Sequence, residues 1–255
     1  MRTLMTTSLL LAAVLGGCAA APVSDAAPPA PEKLKVRVLS TLPHDPGAFT
    51  QGLEFSGETL YEGTGLVGKS SMRAGPAGAA PAVRQELPGL FGEGITVLGA
   101  TAWQITWQDG VAIERDAKTL AELRRVTYTG EGWGLCHRDG RLVMSDGSSK
   151  LTFRDPVSFA PTGAVDVGRD QLNELECVGD SVYANVWQTD RILRIDAATG
   201  RVTGEIDASG LLDGAERGAA DVLNGIAAVP GTDEFLITGK LWPKMFRVKF
   251  VPVQA

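Results

Sequence analysis

The alternation of apolar and polar residues along the chain predicts short β-strands joined by tight turns, with no stretch of helical period long enough for a substantial helix. One segment shows the pattern clearly, because Gly179-Asp180 and Ala198-Thr199-Gly200 mark turns within it. Four strands are predicted around these turns, at residues 174–178, 181–187, 191–196 and 202–206. Four short antiparallel strands in about 40 residues are typical of one blade of a β-propeller.

A short motif recurs five times and divides the chain into units of similar length. It consists of a polar or aromatic residue, then usually Gly, then Leu or Ile, followed by a turn and a β-rich run. The middle residues of the five copies are Gly52, Gly94, Gly134, Glu174 and Gly225, which gives intervals of 42, 40, 40 and 51 residues. The last interval is long because of an insertion rich in Gly, Ala and Asp at residues 212–220. We therefore predict an all-β fold, a five-bladed β-propeller.

The two ends of this propeller are expected to meet. Residues 34–41 alternate as a strand does and precede the first motif, so we predict that they form the outermost strand of the last blade, beside residues 245–250. No linker follows Pro31, and residues 34–255 are therefore predicted to form one domain. Residues 18–33 are rich in Ala and Pro and are expected to be a flexible tether.

The first 17 residues are interpreted as a lipoprotein-type signal peptide. Arg2 is followed by an apolar stretch, residues 4–15, that is too short to cross a bilayer. The run Leu15-Gly16-Gly17-Cys18 resembles a bacterial lipobox, in which the cysteine is lipidated; the alternative is an ordinary secretory signal with a chance cysteine. Because Ala19 follows Cys18, we expect a periplasmic protein held to the outer membrane, with membrane contact only through the lipid anchor.

Charge and rare residues exclude several classes of protein. Lys and Arg number 24 against 30 Asp and Glu, without a basic cluster, which argues against nucleic-acid binding. The two histidines, His44 and His137, have no His or Cys at ligand spacing, so a zinc hydrolase is not expected. Cys136 and Cys177 could pair in an oxidising compartment, but we expect them to be buried thiols.

Equivalent positions of the five repeats predict a site at one mouth of the central channel, because the first strand of each blade lines that channel. The residues before the motif's middle position are Gln51, Glu93, Trp133, Asn173 and Asn224. A second ring, 12 to 15 residues after the motif's middle position, comprises Gly65, Trp107, Asp146, Trp187 and Lys240. Phe49 and Phe91 each lie two residues before a ring position. We predict an aromatic pocket around a single carboxylate, Glu93; the alternative is that the tryptophans pack in the core and Glu93 is a solvated surface charge.

Eight runs of sequence resemble the plant and bacterial glutamine cyclotransferase family, in order and at matching intervals from about Val38 to Arg247. These runs are residues 44–53, 91–96, 130–134, 144–148, 172–176, 184–187, 222–226 and 238–244. The resemblance implies a five-bladed propeller whose catalytic glutamate corresponds to Glu93. It also implies that the substrate-binding residues are Phe49, Gln51, Phe91, Trp107, Trp133, Asn173, Trp187 and Lys240.

The implied reaction converts the N-terminal glutamine of peptides or proteins to pyroglutamate and releases ammonia. We expect Glu93 to carry protons and Lys240, Asn173 or a tryptophan indole N–H to stabilise the developing oxyanion. No metal or cofactor is expected to be required, and the sequence is silent on a structural calcium ion; we expect a monomer. Two alternatives stay open: a non-catalytic, peptide-binding propeller lipoprotein of the periplasm, and a metal-dependent lactonase or lyase with ligands from Asp146, Glu93, Asn173 and Asn224.

Overall fold

The computed structural model describes residues 29–254, which form β-sheets and one short 3-10 helix, Glu216–Gly218. The predicted all-β fold is confirmed. The signal peptide and Cys18, the predicted lipidation site, lie outside the described residues. Between residues 29 and 254, no helix has the length and apolar character needed to cross a membrane.

The strands form three sheets of four and one sheet of eight. The strand β1 (Glu32–Pro43) belongs to the eight-stranded sheet. The first four-stranded sheet contains β2 (Thr50–Ser56), β3 (Thr59–Thr64), β4 (Ser71–Gly75) and β5 (Val83–Glu86). The second contains β6 (Gly92–Leu98), β7 (Thr101–Thr106), β8 (Val111–Asp116) and β9 (Glu122–Thr127). The third contains β10 (Leu135–Arg138), β11 (Arg141–Met144), β12 (Lys150–Arg154) and β13 (Pro161–Asp166).

The eight-stranded sheet consists of two sequential groups of strands joined through β1. The first group is β14 (Leu172–Val178), β15 (Ser181–Val186), β16 (Arg191–Asp196) and β17 (Val202–Asp207). The second is β18 (Leu223–Ala228), β19 (Phe235–Gly239) and β20 (Lys244–Pro252). Their order is β14-β15-β16-β17-β1-β20-β19-β18. The four strands predicted for the fourth repeat are confirmed as β14 to β17, with ends that differ by no more than two residues.

The chain ends meet as the sequence predicts. β1 pairs antiparallel with β20, with Val36 opposite Phe250 and Leu42 opposite Met245. β1 also pairs in parallel with β17, with Leu34 opposite Ile206, a contact that the sequence pattern did not predict. The first strand is therefore hydrogen-bonded on both edges, and it ties the start of the domain to its end.

The first strands of the five repeats pack side by side in a closed ring: β2 against β6, β6 against β10, β10 against β14, β14 against β18, and β18 against β2. Apolar cores fill the spaces between neighbouring sheets; Met72 and Ile95, for example, lie in one core that joins the first two sheets. Such radial packing brings the start of every first strand to one mouth of a central channel, where the ring residues lie.

Close packing of the first strands explains the glycine of the repeated motif. A Cβ atom on Gly134 would overlap the carbonyl oxygen of Asn173, and one on Gly94 would lie 2.5 Å from the amide nitrogen of Leu135. Neither position has room for a side chain, because the neighbouring strand passes directly over it. The glycine of the motif is therefore required by the close approach of neighbouring first strands around the channel.

The fourth repeat has a glutamate at the motif's middle position, and this side chain bonds across the channel. Glu174 accepts backbone N–H groups of Leu53, at 3.1 Å, and of Ile226, at 2.9 Å. Glu176 and Glu54 likewise accept the N–H groups of Ala228 and Val97. Burial raises the pKa of Glu54 to about 8 and raises the pKa of Glu174 and Glu176 well above the ordinary value. These carboxyl groups satisfy backbone donors that no strand pairs, at the cost of desolvation.

Cys136 and Cys177 form a disulfide, so the expectation of buried thiols was wrong. Cys136 lies in β10 and Cys177 in β14, the neighbouring first strands of two sheets, with their Cα atoms 5.5 Å apart. The 41-residue sequence separation carried no information on this distance, because only the closed ring brings β10 and β14 together. The bond cross-links two repeats close to the channel.

Removing the disulfide with the double substitution Cys136→Ala/Cys177→Ala is expected to lower the free energy of unfolding by about 4 kcal/mol, because the bridge restricts the unfolded chain. Urea unfolding of the oxidised protein and of the double variant measures the difference. Reductant should destabilise the wild-type protein and leave the variant unaffected, which is the control. Equal unfolding free energies for the two oxidised proteins would contradict the prediction.

Candidate active site

The inner ring residues lie where the first strands depart from regular pairing. The register of β2 shifts at Gln51, that of β6 at Glu93, that of β14 at Asn173 and that of β18 at Asn224. Such irregularities free a side chain from the alternation of the strand and redirect it, and they are common beside active sites. Trp133 lies just before β10, and its backbone N–H donates to the backbone carbonyl of Ser145 at 3.0 Å.

The second ring is presented by a recurring turn. In four of the five repeats the residue directly after the ring position has a positive φ: 80° at Leu66, 81° at Gly147, 60° at Gln188 and 60° at Leu241. Left-handed backbone at non-glycine residues costs energy and is retained where the surroundings impose it. The turn places the preceding residue, such as Trp187 or Lys240, at the mouth of the channel.

All nine predicted catalytic and substrate-binding residues line one cavity of about 340 Å³. They are Phe49, Gln51, Phe91, Glu93, Trp107, Trp133, Asn173, Trp187 and Lys240. The cavity also includes Gln188, Asp221 and Val222, which the sequence analysis missed. Gln188 follows a ring residue directly, and Val222 lies two residues before Asn224, the position that Phe49 and Phe91 hold before their own ring residues. Asp221 directly follows the insertion. The volume falls within the range of small-ligand sites.

The remaining ring positions lie outside the cavity lining. Asn224 donates to the carbonyl of Thr50, at 2.9 Å, and to Oε1 of Gln51, at 3.2 Å. Asp146 is exposed and accepts the backbone N–H of Ser148. Of the four ligands that the metal-enzyme alternative required, Glu93 and Asn173 line the cavity, whereas Asp146 and Asn224 do not. Within residues 29–254 there is no group of three or more His, Cys, Asp or Glu placed to hold a metal ion.

Aromatic rings form two sides of the cavity. Phe91 contacts Phe49 edge-on, with ring centroids 6.1 Å apart, and contacts Trp107 at 5.5 Å. On the other side, Trp133 and Trp187 meet edge-to-face at 5.5 Å. These geometries are the favourable ones for aromatic pairs, so the rings support one another in fixed positions. The walls therefore enclose a small, largely apolar space.

Glu93 is buried at this cavity with half of its carboxyl group unpaired. Its Oε1 accepts a hydrogen bond from Nε2 of Gln51 at 2.8 Å. Its Oε2 has no hydrogen-bond partner within residues 29–254. Burial raises the pKa of Glu93 well above its ordinary value; the ammonium of Lys240 opposes this, and the carboxylate of Glu131 adds to it. A carboxyl group with a raised pKa and a free oxygen is suited to proton transfer near neutral pH.

Lys240 supplies the positive charge nearest to Glu93. Its ammonium nitrogen lies 4.9 Å from the ring centroid of Phe49. Burial lowers the pKa of Lys240, while the carboxylates of Glu93 and Asp221 act to raise it. Neither Lys240 Nζ nor the side-chain amide of Asn173 donates a hydrogen bond to another residue in the range 29–254. Both donors therefore remain available to a ligand in the cavity.

Two carboxylates besides Glu93 lie at the pocket, Asp221 in its lining and Glu131 beside it, so the expectation of a single carboxylate was wrong. Glu131 is bound to the aromatic wall. Its Oε2 accepts the indole N–H groups of Trp107, at 2.8 Å, and Trp133, at 2.9 Å, and its Oε1 accepts Nε2 of Gln108. Although burial acts to raise it, these hydrogen bonds hold the pKa of Glu131 below its ordinary value. The two indole N–H groups are thus occupied, which removes them from the candidate oxyanion donors.

Glu131→Gln is expected to lower kcat/KM by about 10- to 100-fold, because the amide cannot accept both indole N–H groups and charged hydrogen bonds are strong. Loss of the negative charge should also lower the pKa of Glu93, so the acid limb of the pH profile moves to lower pH. Steady-state kinetics across the pH range measures both effects. Gln108→Ala, which removes only the exposed donor, is the matched control; an unshifted pH profile for Glu131→Gln would contradict the prediction.

Known proteins resemble this chain in sequence over most of its length. The model of the glutamine cyclotransferase family matches residues 9–250. The chain belongs to the glutamine cyclotransferase family. A family relative, the glutaminyl-peptide cyclotransferase of Arabidopsis thaliana, is 39% identical over 234 residues, which is 87% of this chain and 73% of the relative.

Solved structures place the fold beside other family members and beside propellers. The crystal structure of the glutaminyl cyclase of Myxococcus xanthus superposes with a TM-score of 0.80 at 38% identity, over 88% of this glutamine cyclotransferase and 100% of that chain. BamB of Moraxella catarrhalis matches with a TM-score of 0.51 at 12% identity, over 86% of this chain and 99% of that one. The second likeness concerns the fold alone.

Proposed function

We propose that this chain is a glutaminyl-peptide cyclotransferase in which Glu93 carries the protons of the reaction. In this reaction the α-amine of an N-terminal glutamine attacks the carbon of its own γ-carboxamide. A C–N bond closes the five-membered lactam ring, the bond to the amide nitrogen breaks, and ammonia leaves. Family membership and the 39%-identical relative support the reaction; the unpaired carboxyl oxygen of Glu93 in the aromatic cavity supports the role of that residue.

The free oxygen of Glu93 suits both proton transfers. The ionised carboxylate takes a proton from the attacking amine, and the resulting acid gives it to the departing nitrogen, so the group returns to its starting state. A carboxylate in water is too weak a base to take a proton from the amine. Burial raises the pKa of Glu93 and so makes its carboxylate a stronger base. Gln51, itself held by Asn224, orients the carboxyl group through Oε1.

The substrate's carbonyl oxygen becomes an oxyanion as the ring closes and needs a hydrogen-bond donor. Lys240, Asn173 and the indole N–H of Trp187 are the candidates, because the indole N–H groups of Trp107 and Trp133 bond to Glu131. Protonated Lys240 has a positive charge, which favours it over the neutral donors, and the apolar surroundings strengthen the interaction. The aromatic rings would hold the glutaminyl group folded on itself and keep out the water that would otherwise yield glutamate.

Ammonia release from a glutamine-initiated dipeptide tests the activity. The assay uses soluble protein that begins after Pro31, with excess chelator present, and the pyroglutamyl product is identified by mass. Ammonia together with that product supports a metal-independent cyclotransferase. Folded protein that binds the dipeptide but releases no ammonia would instead favour the non-catalytic binding protein, and activity only after a metal is restored would favour a metal enzyme.

We further propose that the sheets are the five blades of a propeller. The closed ring of five first strands supports this interpretation. The eight-stranded sheet then contains two blades, β14 to β17 and β18 to β20 with β1, joined by the short parallel pairing of β1 and β17.

We also propose that the protein is exported to the periplasm. The Cys136–Cys177 disulfide is consistent with a periplasmic location, since such bonds persist in oxidising compartments. Lipidation at Cys18, attachment to the outer membrane and a monomeric state are proposed from the sequence. Metabolic labelling with a palmitate analogue, compared between the wild-type chain and Cys18→Ala, tests the anchor; equal labelling of the two would refute it.

A further inference from the structure

A groove lies next to the aromatic cavity and shares part of its lining. The groove has a volume of about 440 Å³, and Gln188, Asp221 and Val222 line both it and the aromatic cavity. Its other walls are Thr189, Asp190, Leu212, Arg217, Ala220 and Trp242. The two spaces therefore lie side by side and share one wall.

The long insertion of the last repeat forms one wall of the groove. Glu216 of its 3-10 helix, Glu216–Gly218, forms an ion pair with Lys244. Directly after the insertion, the carbonyl of Asp221 accepts a hydrogen bond from Nε1 of Trp242 at 2.8 Å. The turn after Trp187 forms the opposite wall. An insertion that lengthens one repeat and borders the site is well placed to act on substrate choice, as loops on a rigid scaffold commonly do.

A peptide chain has a reason to leave the aromatic cavity on this side. The bond after the N-terminal glutamine carries N–H and C=O groups that need polar partners. Two sides of the cavity consist of aromatic rings, which present ring faces and edges to a ligand. One side is formed by Phe49, Phe91 and Trp107, and the other by Trp133 and Trp187. The side at Gln188 and Asp221 is exposed and polar, and it opens toward the groove.

The charges of the groove favour a cationic occupant. Asp190 and Asp221 line it, and neither carboxylate forms an ion pair with another residue between 29 and 254. Arg217 is the one basic residue among the lining residues, and its Nε donates to the carbonyl of Leu212 at 3.3 Å. The lining thus has two carboxylates and one guanidinium, and because Asp221 also interacts with the ammonium of Lys240 in the neighbouring cavity, Asp190 is the carboxylate left for a cationic side chain.

We propose that this groove is a subsite for the second residue of the substrate and that it selects lysine or arginine there. The inference rests on the proposed binding of the glutaminyl group in the aromatic cavity. Asp190 is its specificity-determining residue, because it borders the groove and not the cavity. An exposed charge pair is weak, so the expected preference for arginine over alanine is about two- to fivefold in kcat/KM, decreasing at high salt.

The test compares kcat/KM for three peptides, Gln-Arg-Ala, Gln-Ala-Ala and Gln-Glu-Ala, each amidated. The wild-type enzyme should follow the order Arg, Ala, Glu. Asp190→Asn should reduce the Arg-to-Ala ratio, and Asp190→Lys should invert the Arg-to-Glu ratio. Asp180→Asn, an exposed aspartate in the β14–β15 turn, is the matched control and should retain the wild-type ratios.

Each outcome decides between explanations. An active enzyme with equal kcat/KM for the three peptides, or ratios unchanged in Asp190→Lys, would overturn the subsite while leaving the cyclotransferase activity intact. Folded protein that releases ammonia from none of the peptides would overturn the proposed function, and the subsite with it. Circular dichroism of each variant checks that it is folded, so that a change in the kcat/KM ratios is due to recognition of the peptide and not to loss of the fold.

Discussion

Glu93→Gln is expected to lower kcat by about 10²–10⁴ and to leave the fold intact, because glutamine has the same shape but cannot accept and return a proton. The substitution keeps an acceptor for Gln51, whose Nε2 lies 2.8 Å from Oε1 of Glu93. The Michaelis constant should change little, since the aromatic walls are untouched. Single-turnover kinetics with a glutamine-initiated peptide measures the chemical step directly.

The same substitution should stabilise the protein at neutral pH. The pKa of Glu93 is raised in the folded state by burial, so the wild-type protein loses stability as pH rises from the unfolded pKa, near 4.5, toward the folded pKa. The amide side chain that replaces the carboxyl group does not titrate. The free energy of unfolding of Glu93→Gln should therefore exceed that of the wild type at pH 7, and the difference should shrink as the pH falls toward 4.

Glu58→Gln, a change at an exposed glutamate in the β2–β3 turn, is the matched control and should alter neither activity nor the pH dependence of stability. Glu93→Gln protein that retains more than about a tenth of the wild-type rate would remove this residue from the proton-transfer role. A loss of both activity and stability would indicate that Glu93 is needed for the fold.

Lys240→Met is expected to lower kcat by about 10²–10³, the usual effect of losing one oxyanion donor. Methionine preserves much of the length and the apolar contact with Phe49, from whose ring the ammonium lies 4.9 Å away. Because Lys240 lowers the pKa of Glu93, its removal should move the acid limb of the kcat/KM profile to higher pH. This shift is opposite to the one expected for Glu131→Gln.

Lys118→Met, at an exposed lysine, serves as the control for loss of a lysine charge. Asn173→Ala, measured in parallel, distinguishes Asn173 from Lys240 as the donor. A large fall in kcat for Asn173→Ala together with a small one for Lys240→Met would transfer the oxyanion role to Asn173. An unshifted pH profile in Lys240→Met would show that its ammonium does not act on Glu93.

Most of the cavity lining could be predicted from sequence because each repeat contributes two equivalent positions. A ring residue and a partner 13 to 16 residues later identify one level of the channel without any knowledge of distances, and Glu93, Trp107 and Lys240 were all found in this way. The prediction failed at Asp221 and Val222, which directly precede Asn224. Val222 holds the position that Phe49 and Phe91 have in the first two repeats, but it is neither polar nor aromatic, the residue types on which the prediction relied.

Glu131 was missed for a different reason. It lies two residues before Trp133, the position that Phe49 and Phe91 hold before Gln51 and Glu93, but the prediction used only the aromatic residues at this position. Only the folded chain brings the indoles of Trp107 and Trp133, which come from neighbouring repeats, to the same carboxylate oxygen. The disulfide is similar, since two cysteines 41 residues apart gain their 5.5 Å Cα separation from ring closure.

The sequence by itself determined the strands, the repeat, the pairing of β1 with β20 and the set of side chains at the channel mouth, because these follow from local alternation and from a constant interval. The tertiary structure decided the cross-links and the electrostatics: the parallel pairing of β1 with β17, the Cys136–Cys177 bond, the raised pKa of Glu93 and the occupation of two indole N–H groups by Glu131. These properties depend on distances between residues remote in sequence and on exclusion of water, and both arise only when the ring of strands closes.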